Sequence, residues 1–274
     1  MHTMWKGSIS FGLVNIPVRM FSATEDKDIR FKNLHKECHT PIKYKKICPT
    51  CNKEVGYDEI VKGYEYEPGK YVIIEDKDIE SITPDKNKAV EILDFVNLSE
   101  IDPIYFDKSY YLSPQETGEK AYNLLRKAMK DTKKIAIAKI TIRSKQTLAA
   151  VRVYNGLIVL ETIHYPDEVR SVEQVPNIPE KIDTNKNELK MATELINNLT
   201  ASFKPDKYKD DYREALKELI NKKIEGKEIK VAPKGKERNV IDLMEALKAS
   251  IDETKPKKKT NKKKKKKTKK DTAS

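Results

Sequence analysis

The residues of this chain best suited to chemistry are four that cluster near its start. Two residues separate His35 from Cys38, two separate Cys48 from Cys51, and nine separate the pairs. Every cysteine in the chain falls within this window. Pairs at this spacing sit on tight turns that aim both donors at one point, and two such pairs complete the tetrahedral shell of a zinc ion. Four protein ligands leave no open position, so such a site is structural rather than catalytic. His39 is an alternative fourth ligand with poorer spacing, and reduced thiols beside an unrelated histidine are the plain alternative to a metal. Between the pairs run Lys43, Tyr44, Lys45 and Lys46, which a zinc clip would hold out as a basic finger; Arg30 and Lys32 precede them in the same basic stretch.

No other constellation supports a reaction. There is no G-x-x-x-x-G-K-[ST] or G-x-G-x-x-G loop, and no lysine in the K-x-D-G setting of a nucleotidyl-transferring ligase. Nine glycines leave little for phosphate-cradling loops, and four histidines give no Ser/His/Asp set better than chance. Acidic residues are plentiful, but no motif arranges them as a metal-dependent nuclease. The chain reads as a non-enzyme.

Charge points instead to an anionic partner. The formal net charge is +12 over 274 residues. Residues 255–274 hold twelve lysines and one aspartate, which is +11, so residues 1–254 carry only +1. A nearly neutral body must grip a polyanion through a local patch, because its net field is weak. Lys257, Lys258, Lys259 and Lys262, Lys263, Lys264, Lys265, Lys266, Lys267 form a tail that can bury nothing and is expected to be disordered. No apolar run approaches the roughly 18 residues of a membrane helix. The opening MHTMWKGSIS lacks a basic segment followed by an apolar one, so no secretory signal is expected. Three clustered cysteines make no disulfide framework, and the expected compartment is the cytosol.

The elements that must position these groups centre on Lys134 to Ile163. KIAIAKITIR, TLAAVRVY and LIVLETI read as three strands, with Asn155-Gly156 predicting a type I′ turn that pairs Val153 with Ile158 and Val151 with Leu160. A first turn at Ser144-Lys145 would pair Ile142 with Thr147, Ile140 with Ala149 and Ala138 with Val151. Both registers put Ala136, Ala138, Ile140, Ile142, Ala149, Val151, Val153, Ile158 and Leu160 on a dry face. Lys139, Arg143 and Arg152 fall on the other, with Leu148, Val159 and Glu161. A sheet of this kind belongs on the wall of a barrel or sandwich. The cations there are either a solvated outer face or a ligand-facing one.

Upstream, Trp5–Thr24 is apolar with a parity switch at Leu13-Val14, which predicts a bulge or bend. Further strands are expected at Tyr71–Asp76, Ala89–Leu98 and Ser109–Leu112. Ser113-Pro114-Gln115-Glu116 reads as a helix start, with Ala121, Leu124, Leu125, Ala128 and Met129 on the buried face. Arg126, Lys127, Lys130, Lys133 and Lys134 crowd its end, where the helix dipole suffices to explain them. Downstream, Leu189, Ala192, Leu195, Ile196 and Leu199 form one helical stripe. Tyr212, Leu216, Leu219, Ile220 and Ile224 form another, closed by Gly226. A third helix is expected over Asn239–Ile251.

Four stretches carry a resemblance. WKGSISFGLVNIPVRMFSAT, YFDKSYYL, LAAVRVYNGLIVLETIHYPDEVR and ELKMATELINNLTASFKPDKYKDDYREALKELINKKIEG occur in the order found in the bacterial Ku family. The chain resembles that family over about nine-tenths of its length, leaving out only the lysine tail. The resemblance implies an α+β, mainly β fold: a Ku-type β-barrel with an extended bridge (1–185, the zinc-knuckle insert at 35–51), a C-terminal helical arm (186–252) and the disordered tail (253–274). It implies a homodimeric ring that threads onto double-stranded DNA ends and recruits an ATP-dependent DNA ligase in non-homologous end joining, working in the cytoplasm at the nucleoid. A ring grips any sequence through phosphates, and the candidate contacts are Arg30, Lys32, Lys43, Lys45, Lys46, Lys139, Arg143, Arg152 and the tail lysines. The rival readings are a sequence-specific zinc-ribbon regulator and a non-enzymatic scaffold solubilised by its tail.

Overall fold

Alternating apolar residues in short runs, broken by glycine and asparagine turns, build most of the first unit of the chain. The computed structural model describes residues 1–82, 88–142, 145–178, 185–226 and 243–254. In chain order the strands are β1 (Trp5–Phe11), β2 (Val14–Ser22), β3 (Ile47–Cys48), β4 (Lys53–Glu54), β5 (Lys62–Glu67), β6 (Lys70–Ile74), β7 (Ala89–Asn97), β8 (Phe106–Pro114), β9 (Lys134–Ile142), β10 (Lys145–Tyr154) and β11 (Leu157–Ile163). The helices are α1 (Asp76–Ile82), α2 (Glu119–Thr132), α3 (Lys186–Leu199), α4 (Asp211–Ile224) and α5 (Leu243–Thr254). The chain divides into two units, Met1–Pro176 and Asn177–Ser274.

Seven strands close a barrel in the order β1-β2-β8-β11-β10-β9-β7. All pairs are antiparallel except β1 with β7, where Ser8 faces Ala89 in parallel register. The parity switch at Leu13-Val14 is a hairpin turn between β1 and β2, where a bulge or a bend within one strand was expected. Phe11 pairs with Val14 and Ile9 with Ile16, and Gly12 takes φ +56°. Crossing a two-residue turn exchanges odd for even positions, so an inward face passes from Ile9 to Ile16 and Val18.

At the centre, the Asn155-Gly156 turn has φ of +46° and +82°, and Val153 faces Ile158 as its residue types predict. The preceding hairpin is shifted by two residues from expectation. Ile142 pairs with Lys145, Ile140 with Thr147 and Ala138 with Ala149. A two-residue slip preserves parity, so the same side chains still point inward: Ala136, Ala138, Ile140, Ala149, Val151, Ile158 and Leu160 are buried, while Ile142 and Val153 pack against them only partly buried. Outside the barrel wall a second small core gathers Ile135, Ala150 and Ile163 with Val96, Tyr105 and Leu148. Part of the face expected to be basic is therefore apolar and covered.

α2 begins later than its sequence suggests. Ser113 and Pro114 belong to β8, where Pro114 faces Val18, and the helix starts at Glu119 after a 3-10 turn capped at Gly118. A Cβ on Gly118 would lie 2.8 Å from the Pro17 carbonyl oxygen, so this crossing admits only glycine. The buried face is Tyr122, Leu125 and Met129, while Leu124 is exposed. The Tyr122 hydroxyl donates to the Leu112 carbonyl (2.7 Å) and accepts from the Ile158 amide (2.9 Å), fastening the helix to β8 and β11.

In the second unit α3 packs against α5, and Ile251 is buried. Asn185 caps α3 by accepting from the Asn187 amide, and Gly226 closes α4 at φ +69°. Leu189, Ile196 and Leu199 stay exposed on α3, as do Tyr212 and Ile224 on α4. Among the described residues no helix is long and apolar enough to cross a membrane.

Candidate nucleic-acid interface and metal knuckles

Two small hairpins carry the clustered donors, and they are built alike. In the first, the His39 amide donates to the His35 carbonyl (2.8 Å), the His35 amide donates to Thr40, and His39 has φ +53°. In the second, the Asn52 amide donates to the Cys48 carbonyl (2.8 Å), Cys48 pairs with Lys53, and Asn52 has φ +49°. Each loop bends its chain by one left-handed residue directly after the second donor, which turns both donors of a pair to the same side. The His35 Nδ1 and Cys38 Sγ lie 3.1 Å apart, as do the Cys48 and Cys51 sulfurs. Using His39 as backbone pivot explains why His35 rather than His39 partners Cys38.

The thiols differ in acidity. Hydrogen bonds from the Thr40 hydroxyl and amide hold Cys38 below the ordinary thiol range. The Cys51 backbone amide lowers Cys48, whereas the neighbouring Cys48 sulfur pushes Cys51 up. By donor type and turn geometry each pair is suited to supply half of a tetrahedral zinc shell. Among the described residues no three His, Cys, Asp or Glu side chains gather at one point. The knuckles are thus formed separately, and a shared ion requires them to meet.

The cations of this segment are unequal. Lys45 pairs with Glu54 at 2.7 Å and Arg30 with Asp26 at 2.9 Å, both exposed. The Lys46 ammonium lies 4.1 Å from the centre of the Tyr57 ring. Lys32 and Lys43 are exposed with no carboxylate partner among the described residues. On the barrel wall, Lys139 is half-buried on β9, opposite Leu148 and Glu91. Arg152 makes a two-pronged ion pair with Glu161, both bonds 2.7 Å, and Ser109 adds a third contact to that carboxylate. Glu161 raises the Arg152 pKa further, so this guanidinium is permanently charged and locally compensated. Arg143 and the tail lysines lie outside the described residues.

The hairpin β5–β6 escaped the sequence reading in part, since only β6 was expected. Not one residue of β5 is buried, and Tyr64, Tyr66, Tyr71 and Ile73 are all exposed. Alternation of tyrosine with glutamate in KGYEYE was the available signal.

Comparison with known proteins places this architecture. A model of the Ku70/Ku80 β-barrel domain matches residues 10–191. The chain belongs to the Ku family. It is 58% identical over 258 residues to the non-homologous end joining protein Ku of Bacillus subtilis (strain 168), spanning 93% of this chain and 83% of that one. With the protein of the same description from Desulfitobacterium hafniense the identity is 51% over 275 residues, 100% of this chain and 95% of the other. With that of Archaeoglobus fulgidus it is 45% over 255 residues, 93% and 100%. In Ku terms, the matched segment runs from the end of β1 through the other six strands of the barrel and includes the knuckles and the β5–β6 hairpin.

Proposed function

We propose that this Ku chain is a non-enzymatic homodimeric ring that binds double-stranded DNA ends without reading their sequence and brings an ATP-dependent DNA ligase to them. The observation that carries this reading is the 58% identity, over nearly the whole chain, to a protein of non-homologous end joining. Two features support it. A two-stranded hairpin with no buried face is marginal in water, and covering β5–β6 with a second copy would complete it. The exposed stripes of α3 and α4 invite the same partner. Work on chromosomal ends would put the protein in the cytoplasm, at the nucleoid.

Phosphate contacts are assigned to Arg30, Lys32, Lys43, Lys45, Lys46, Lys139, Arg143 and Arg152, with the tail lysines adding sequence-independent attraction. Lys32, Lys43 and Lys46 are free to engage a phosphate at once. Arg30, Lys45 and Arg152 must first share or release a carboxylate. His35, Cys38, Cys48 and Cys51 would hold one structural zinc, whose contribution is to lock the two knuckles together.

A closed ring loads only where a duplex stops. Linear DNA should therefore compete strongly for the protein at near-physiological salt, and covalently closed circles of the same sequence weakly. Blocking both ends after loading should trap the protein against a rise in salt. Equal competition by circles would overturn the ring, and a preference for one base sequence would favour a zinc-ribbon regulator instead.

A further inference from the structure

The body of the chain is neutral because two adjacent segments cancel. Ile29–Tyr57 holds seven lysines and arginines and two glutamates, a net +5. Asp58–Ile82 holds eight acidic residues and three lysines, a net −5. Both segments expose aromatic rings, so the rings alone say nothing. Their electrostatic settings separate them: Tyr64, Tyr66 and Tyr71 stand among Glu65, Glu67 and Glu75, which repel a polyanion, while Phe31, Tyr44 and Tyr57 stand in the basic segment.

These three rings are 69%, 79% and 85% exposed. Two are also held in place. The Tyr44 hydroxyl accepts a hydrogen bond from the Asn33 side chain (2.7 Å), and the Ile42 amide donates to the Asn33 carbonyl (3.1 Å), so Tyr44 stands on a braced loop. Tyr57 carries the Lys46 ammonium near its ring at 4.1 Å, and Lys46 follows Tyr44 by two positions. Braced rings lose little freedom on binding, and a ring beside a cation suits a base joined to a phosphate. Base-on-aromatic stacking contributes about 1–3 kcal/mol per base and tolerates any sequence. Paired bases inside a duplex have no free faces to offer. An unpaired strand does.

We infer that the finger Ile29–Tyr57 is a binding site for single-stranded DNA, and that it takes the overhang at a DNA end. Tyr44 and Tyr57 stack on unpaired bases while Lys43 and Lys46 contact the flanking phosphates. The inference deepens the end-binding reading and rests on it for the location of the overhang.

The test uses the full chain and three labelled probes at one salt concentration: a blunt duplex, the same duplex with an oligothymidylate overhang, and oligothymidylate alone. The overhang should tighten binding by on the order of tenfold or more, the gain from two stacked bases at the low end of that range. A Tyr44→Ala/Tyr57→Ala double variant should lose this gain and its binding of oligothymidylate. A Tyr44→Phe/Tyr57→Phe variant should keep both, since it retains the rings. Equal wild-type affinity for blunt and overhanging ends would overturn the site, as would an alanine variant that still prefers overhangs. Dissociation of the alanine variant into a smaller species on size exclusion would overturn it too, because the rings would then be covered by protein. If circles compete as well as linear DNA, the end reading fails, yet tyrosine-dependent binding of oligothymidylate alone would still establish the site.

Discussion

Tyr122 ties three elements together through one oxygen. Its hydroxyl serves the Leu112 carbonyl and the Ile158 amide, both deep in the barrel core. Tyr122→Phe leaves two buried backbone groups unpaired, at about 1–3 kcal/mol, readable as a lower midpoint in urea at neutral pH. Burial raises the Tyr122 pKa above the ordinary phenol range. The hydroxyl's contribution is therefore full below the unfolded-state pKa and lost as pH rises through the folded value. The gap between wild type and Tyr122→Phe should shrink in strongly alkaline buffer, and a pH-independent gap would refute the link. This residue was not legible beforehand. Ranking by hydrophobicity placed Leu124 on the buried face of α2, but Leu124 is exposed, because a phenol with two waiting backbone partners outcompetes an aliphatic side chain with none. The Arg152–Glu161 pair was closer to hand. Asn155-Gly156 already sets Arg152 opposite Val159, so Glu161 is a diagonal neighbour, within reach of an arginine.

At the scale of elements, what the chain encodes locally was read correctly and what depends on its neighbours was not. The I′ turn, the inward face of β9–β11 and the Gly226 stop rest on single residues and their backbone preferences. The Ser113 helix start failed because β2 recruits Pro114 as a strand partner, which no local rule announces. The first hairpin slipped by two positions because its loop has no preferred turn pair, while the barrel's dry interior enforces parity alone. The knuckles lie between these cases: each hairpin is local, but bringing them together requires something both can hold. Purified protein should contain about one zinc per chain, and Cys48→Ser should lose it, since removal of one of four ligands opens the site. Elemental analysis of both proteins decides this, with limited proteolysis across Ile29–Tyr57 reporting whether the finger loosens. A metal-free wild type with the same digestion pattern as the variant would dismiss the ion.

At the scale of the whole molecule, charge is sorted: a neutral barrel, a basic finger, an acidic hairpin and a lysine-rich end. Deleting residues 255–274 removes up to twelve cationic contacts, and each phosphate contact contributes about 0.9 to the salt slope. The shortened protein should show a shallower dependence of log K on log salt on long DNA and still favour ends over circles. Loss of the preference for ends would make the tail the DNA-binding element. The order of strands around the barrel carries a further consequence, for how the protein is made. β1 closes on β7, β2 on β8, and β8 on β11. The first hairpin therefore leaves the ribosome without its lateral neighbours, and the seam cannot shut until Ile163 has emerged. At about 5–20 residues per second that wait is on the order of ten seconds. Throughout it, Ile9, Ile16, Val18 and Met20 stay uncovered. Until the seam shuts, the open edges of the growing sheet are the part of this chain most exposed to wrong strand pairing.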